Sequence, residues 1–315
     1  MNFVKIPGLK KLSLYLIALS VSILFPPALP AQSSGLLLRF GFYTKDLGRN
    51  ELAEMDESLK QWVEAIKNNT NIKPLANSVM RNTFYESKFK LVDDIKNNKL
   101  DFMNLSTYDF FDLKLQDNII PLLATSKEAD SKFERYFLVA NKNSEINNLS
   151  QLSNAQIVIP NSFSSSLAKI WLQVELKEKL SRNDFKNIKL IESPKKENET
   201  LFSIFFNKLA LAVIKEDSYL TASEINPQIR KNTIVIAASK RFINNFFARS
   251  KEVDPTIYKE IINIGLGLDK TVEGKQILNL MQMTNMHEIS LGDLEETSQL
   301  IKSYKELFPS NVKQD

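Results

Sequence analysis

The chain has 315 residues, 43% of them hydrophobic, with 41 Lys and Arg against 37 Asp and Glu, a single His and no Cys. That length holds one large or two ordinary domains, and the composition excludes a disordered chain. Without Cys there are no disulfides and no acceptor for a lipoprotein anchor, and one His cannot build an ordinary zinc site.

Residues 1–31 have the three parts of a secretory signal peptide. Lys5, Lys10 and Lys11 form a basic start, Leu12 to Phe25 an uncharged apolar run, and Pro26 to Ala31 a breaker ending in a small residue. The apolar run is short of a bilayer span, so cleavage after Ala31 is expected over an uncleaved anchor, and the mature chain is expected free in the periplasm or secreted. Removing three Lys takes 41 basic residues to 38 against 37 acidic ones, and the net charge from +4 to +1. The basicity belongs to the leader, and the mature charge implies neither nucleic acid nor an anionic membrane as partner.

Gly35 to Tyr43 predicts a first buried strand, followed by the polar turn Thr44 to Arg49. Leu52, Met55, Leu59, Trp62, Val63 and Ile66 recur at helical spacing. A strand is expected over Asn71 to Ser78, a helix over Tyr85 to Asn97, and a short strand at Leu100 to Thr107 that leads into a helix at Tyr108 to Leu115. Ile119 to Thr125 and Glu134 to Asn141 predict further strands. The same order then restarts: a strand at Gln156 to Pro160, a Ser-rich loop, a helix at Leu167 to Leu180, a strand at Phe185 to Glu192, a helix at Glu199 to Lys208, and a strand at Leu209 to Ile214 ending in the charged turn Lys215 to Asp217. Thr233 to Ala238 and Arg241 to Ala248 are β-compatible, and helical patterns cover Pro255 to Leu268, Val272 to Met283 and Leu291 to Leu307. Two alternating α/β sets followed by helices imply two lobes, each a mainly parallel sheet flanked by helices.

Polar turns at the carboxyl ends of strands are where open α/β sheets bind ligands. Three stand out: Tyr43 to Asp46, Asn104 to Thr107, and Asn161 to Ser166. The last has five hydrogen-bonding side chains at the start of a helix, where unpaired N–H groups attract anions, although one Ser there would serve equally as an N-cap. Glu216 and Asp217, after a buried strand, either meet a ligand amine, orient a phosphonate-type group through hydrogen bonds, or form a solvated turn. The one His, His287, lies far from any Ser loop, and no phosphate-binding glycine loop occurs, so neither catalysis nor a cofactor or metal is expected.

The succession FGFYT, LDFMNLSTYDFF and RYFLVANKNSEINNLSQLSNAQIVIPNSFSSS resembles the type 2 periplasmic solute-binding proteins of the phosphate, phosphite and phosphonate transporter group, over about Leu37 to Ala238. The resemblance implies a two-lobed Venus-flytrap, with lobe 1 formed by 32–135 and 238–315, lobe 2 by 136–237, and hinges near 133–138 and 237–247. It implies capture of a small oxyanion for an ABC permease, with a sensory module signalling to a membrane kinase or cyclase as the alternative. Its contact positions fall on Tyr43, on Asn104, Ser106 and Thr107, on the helix-start triplet Ser164, Ser165 and Ser166, and on Glu216 or Asp217. A His common in phosphonate binders is replaced here by the stretch Ser193 to Lys196, where Lys195 is the candidate for cationic compensation.

Overall fold

Strand β1 (Leu37–Tyr43) alternates as a half-exposed β-strand must, sending Leu38, Phe40 and Phe42 into one core. Phe40 stacks on Phe102 at 5.1 Å and meets the edge of Trp62, which lies on helix α1 (Arg49–Asn69). This is a computed structural model that describes residues 36–44, 48–126, 131–160, 167–280 and 283–309, so the expected leader lies outside the described residues. The expected strand at Asn71 to Ser78 is instead a short helix, α2 (Lys73–Ala76), because Pro74 presets a helical φ in the first turn. Pairing resumes at β2 (Val79–Tyr85), followed by α3 (Lys88–Lys96), β3 (Phe102–Ser106), α4 (Thr107–Asp112) and β4 (Ile119–Ser126).

In the second half, β5 (Tyr136–Asn141) is buried at every position. It precedes β6 (Gln156–Pro160), α5 (Leu167–Lys179), α6 (Arg182–Asn187), β7 (Lys189–Ser193), α7 (Glu197–Phe205) and β8 (Leu211–Lys215). The expected charged turn after β8 is the first turn of a helix, α8 (Glu216–Ile225), where two acidic side chains complement the positive helix end. Then come α9 (Gln228–Asn232), β9 (Thr233–Ala238), β10 (Asn245–Ser250), α10 (Pro255–Gly267), α11 (Val272–Leu280), β11 (Asn285–Glu288) and α12 (Glu295–Leu307).

Two sheets result, a six-stranded one ordered β11-β4-β10-β3-β1-β2 and a five-stranded one ordered β7-β6-β8-β5-β9. The α/β two-sheet architecture is as expected, but the pairing is mixed. The strands β1, β2 and β3 pair in parallel, as do β6, β7 and β8, whereas β10 and β5 run antiparallel to their neighbours. Those two strands enter their sheets directly from the other lobe, so they run against strands that arrive through a helix. Apolar clusters pack on both faces of each sheet.

The chain passes between sheets from Ser126 to Tyr136 and returns from Ala238 to Asn245. The two crossings pair as a ribbon: Glu134 and Phe242 exchange backbone N–H···O bonds at 2.7 and 2.8 Å. A third passage follows β11. Helix α12 departs from the expected assignment of 238–315 to the first lobe, because its apolar stripe sends Leu300 and Ile301 into the second lobe's core. On its other side Lys305 pairs with Asp112 of α4 at 2.8 Å, so α12 touches both lobes.

Gly274, in the first turn of α11, decides between two opposed effects. Replacing a helical Gly by Ala ordinarily gains up to about 1 kcal/mol. Here a Cβ would fall on the backbone carbonyl of Leu268, which cannot rotate away. Gly274→Ala is therefore expected to destabilise by about 1–3 kcal/mol, the usual range for overpacking, and thermal unfolding reads it as a lower Tm; a raised Tm would contradict the packing described.

Candidate functional site

A cavity of about 410 Å³ opens where the first crossing leaves β4 and β8 gives way to α8. From the first lobe and crossing come Thr125, Ser126, Ser131, Lys132 and Glu134, and from the second lobe Glu197, Phe202, Lys215, Asp217 and Ser218. The setting follows from topology, since β5 begins beside the end of β8, with Tyr136 opposite Lys215. The floor is therefore a place where two lobes, one crossing and two helix starts converge.

Three carboxylates and two ammonium groups line it, but the ammonium groups are already paired. Lys215 Nζ lies 3.0 Å from Glu134 Oε2, and Lys132 Nζ 2.7 Å from Asp293 Oδ1. Glu197 accepts the Lys215 backbone N–H at 2.5 Å. Burial pushes its carboxyl above the usual range; the Lys215 N–H and ammonium and the Ser218 hydroxyl oppose the shift, and Glu134 adds to it. The Asp217 carboxyl is also raised, first by burial, then by Glu216 and Glu134, with Lys215 and Arg241 acting against. No hydrogen bond or ion pair engages Asp217 among the described residues. The cavity thus presents one unpartnered and one desolvated carboxylate, an arrangement that favours a cation or a strong hydrogen-bond donor.

Among the described residues expected to contact a ligand, only Asp217 lines this cavity. Glu216, its neighbour, faces the crossings instead: its Oε1 accepts from Arg135 Nη1 at 3.3 Å and its Oε2 lies 3.6 Å from Arg241 Nη2. Thr107 is fully buried, and its hydroxyl donates to the Ile243 carbonyl at 2.5 Å, which corrects the expectation that it faces a ligand. The Ser106 hydroxyl caps α4, accepting the Asp109 N–H at 3.0 Å and donating to Asp109 Oδ2 at 2.7 Å. Tyr43 ends β1 half-buried against the core, and Asn104 lies half-buried in β3 between Phe42 and Phe247. Ser164, Ser165 and Ser166 lie outside the described residues; α5 begins at Leu167, directly after them. Lys195 donates to Ser203 Oγ at 3.3 Å and does not line the cavity.

Sequence reasoning missed Glu134 and Glu197. Glu134 looked like the end of a strand, whereas it is the hub of a crossing. Glu197 looked like loop, because the helix was placed two residues late; it occupies the first turn of α7. His287, between two expected helices, lies in β11 opposite Ala124, with Nε2 3.2 Å from Ser126 Oγ. Among the described residues no group of three or more His, Cys, Asp or Glu could hold a metal ion.

The model of the family described as ABC transporter, phosphonate, periplasmic substrate-binding protein matches residues 50–294. The chain belongs to this phosphonate-type substrate-binding family. Solved structures share its fold. A Xanthomonas citri protein bound to ATP has a TM-score of 0.60 at 10% identity, covering 88% of this chain and 99% of that one. A Prochlorococcus marinus protein in complex with methylphosphonate gives 0.54 at 14%, covering 86% and 98%. A binding component of a phosphonate ABC transporter from Pseudomonas aeruginosa gives 0.53 at 11%, covering 89% and 90%. No curated protein matches by sequence. The family is a periplasmic component of transporters rather than a class of enzymes, and among the described residues no helix is long and apolar enough to cross a membrane.

The raised carboxyls make stability depend on pH with a definite sign. A carboxyl whose folded pKa lies above its unfolded value favours folding fully below the unfolded pKa, 4.5 for Glu197, and that contribution fades as pH rises through the folded value. Glu197→Gln removes this loss while keeping an acceptor for the Lys215 N–H. The Tm of the variant relative to the native chain should therefore grow as pH rises above 4.5, and a pH-independent difference would contradict the burial of Glu197.

Proposed function

We propose that this protein captures a small phosphonate-type oxyanion that also carries a cationic group, and delivers it to an ABC permease. The observation that carries the reading is the unpartnered Asp217 carboxylate beside desolvated Glu197 in a cavity between the lobes. A simple dianion would be repelled there, whereas an ammonium would restore the charge balance lost on desolvation. The oxyanion is taken from the family's description, and a structural neighbour holds methylphosphonate. Ser164, Ser165 and Ser166, ahead of the thirteen-residue helix α5, are the residues we assign to it, since a helix start offers N–H donors and a positive end. Tyr43 and Asn104 are retained as contacts made on closure.

The chain is exported by its leader and cleaved after Ala31. Binding draws the lobes together about the two crossings, and the closed pair presents the surface that a permease reads. Glu197 and Asp217 select for the ammonium, and the helix start selects for the phosphonate.

Thermal shift with phosphate, methylphosphonate and 2-aminoethylphosphonate tests the reading. A ligand at a hundredfold excess over Kd stabilises by about 2.7 kcal/mol, so a bound phosphonate raises Tm in a concentration-dependent way. The aminophosphonate should bind more tightly than methylphosphonate. Asp217→Asn should weaken it about 10- to 100-fold, as for a lost hydrogen bond to a charged group, and leave methylphosphonate nearly unchanged. No shift with any of the three would overturn the assignment.

A further inference from the structure

The second crossing carries one residue whose contacts reach every moving part. Asn244 lies between β9 and β10, half-buried, one residue before the strand that enters the first sheet. Its backbone carbonyl accepts the N–H of Thr107, the first residue of α4, at 2.7 Å. Its side-chain Oδ1 accepts the N–H of Leu167, the first residue of α5, over a longer 3.5 Å. Its Nδ2 donates to Glu134 Oε2 at 2.5 Å and to the Tyr136 hydroxyl, both on the first crossing.

Helix α4 follows the carboxyl end of β3 in one lobe, and α5 follows β6 in the other. From these contacts we infer that Asn244 is a positioning residue for lobe closure, holding α4 of one lobe and α5 of the other in register against the first crossing. Its amide suits the position because one atom accepts from a backbone N–H while the other donates to a carboxylate. Glu134 is fixed from the opposite side by Lys215 at 3.0 Å and by the Tyr136 hydroxyl at 3.1 Å, with Glu197 and Asp217 the further charges across the cavity. Movement of either lobe must therefore pull on Asn244 or break one of its bonds.

The charge pattern provides a test that a passive structural role would not pass. Asn244→Asp keeps the acceptor for Leu167 but sets a carboxylate against Glu134, and like charges at that distance repel. Adding Glu134→Gln restores one amide and one carboxylate in exchanged places. Small-angle scattering of the ligand-free protein should show a larger radius of gyration for Asn244→Asp and a return toward the native value for the double variant. Titration with 2-aminoethylphosphonate should show about tenfold weaker binding for the single variant, from the loss of one charge-assisted hydrogen bond, and recovery in the double. Should Asn244→Asp fail to fold, Asn244→Ala, which keeps the Thr107 bond, is expected to speed hydrogen exchange at the Leu167 amide and to widen the lobe separation. The inference is overturned if the folded single variant scatters and binds as the native chain does, if the double variant stays no closer to native than the single, or if Asn244→Ala leaves both Leu167 exchange and lobe separation unchanged. Scattering needs no ligand, so failure of the phosphonate to bind would count against the proposed solute and leave the scattering result to decide on Asn244.

Discussion

The structure depends on the ribbon formed by two passages between its sheets. A chain that leaves one sheet and later returns must bring both passages through the same narrow junction, where backbone groups lose water and need partners. Here Glu134 and Phe242 supply those partners to each other, and Ser239 and Tyr136 extend the pairing into the second lobe. The direction of β5 and β10 follows from the same constraint. Both enter their sheets from the ribbon, both lie inside their sheets, and both run antiparallel to the strands on either side.

Charge is arranged around that ribbon in two layers with different work. Arg135, Arg241 and Glu216 tie the crossings together on one side, where partial exposure limits what each pair adds to stability. On the cavity side, Lys215 is held by Glu134, Asp217 has no hydrogen bond or ion pair among the described residues, and Glu197 is supported by the Lys215 backbone N–H and the Ser218 hydroxyl. The adjacent residues Glu216 and Asp217 thus have different surroundings, one paired with the crossings and the other lining the cavity. A one-residue step along the first turn of α8 separates them, because neighbouring side chains on a helix point about 100° apart.

Much of the architecture was legible in the chain. The strands at Gln156 to Pro160 and Thr233 to Ala238 have the bounds expected from sequence, and the apolar runs that became β4 and β8 are only slightly shifted. Strands β4, β6 and β8 are buried along most of their length, so composition alone marks them. The less legible parts lie where tertiary contact outweighs local pattern. Pro74 sits in what reads as a strand until the helix it starts is seen, and His287 falls between two helical patterns with no strand expected until β4 is beside it. The site was only partly legible. Ser106 and Thr107 are ligand-like residue types at a strand end, but one caps its own helix and the other closes onto Ile243, and sequence cannot distinguish a hydroxyl facing solvent from one satisfied internally. Glu134 carried no signal, since its role is set largely by Lys215, Phe242 and Asn244, all distant in sequence.

The central claim is that the cavity between the lobes holds a small phosphorus-bearing solute with a positive charge. Its most direct measurement is the identity of what the protein carries when isolated from the periplasm, obtained by denaturing the purified chain and analysing the released small molecules by mass spectrometry with phosphorus quantified in parallel. The account predicts close to one phosphorus per chain, in a compound that also contains an amine. A released solute without phosphorus, or one that is a simple anion lacking any cationic group, would contradict it.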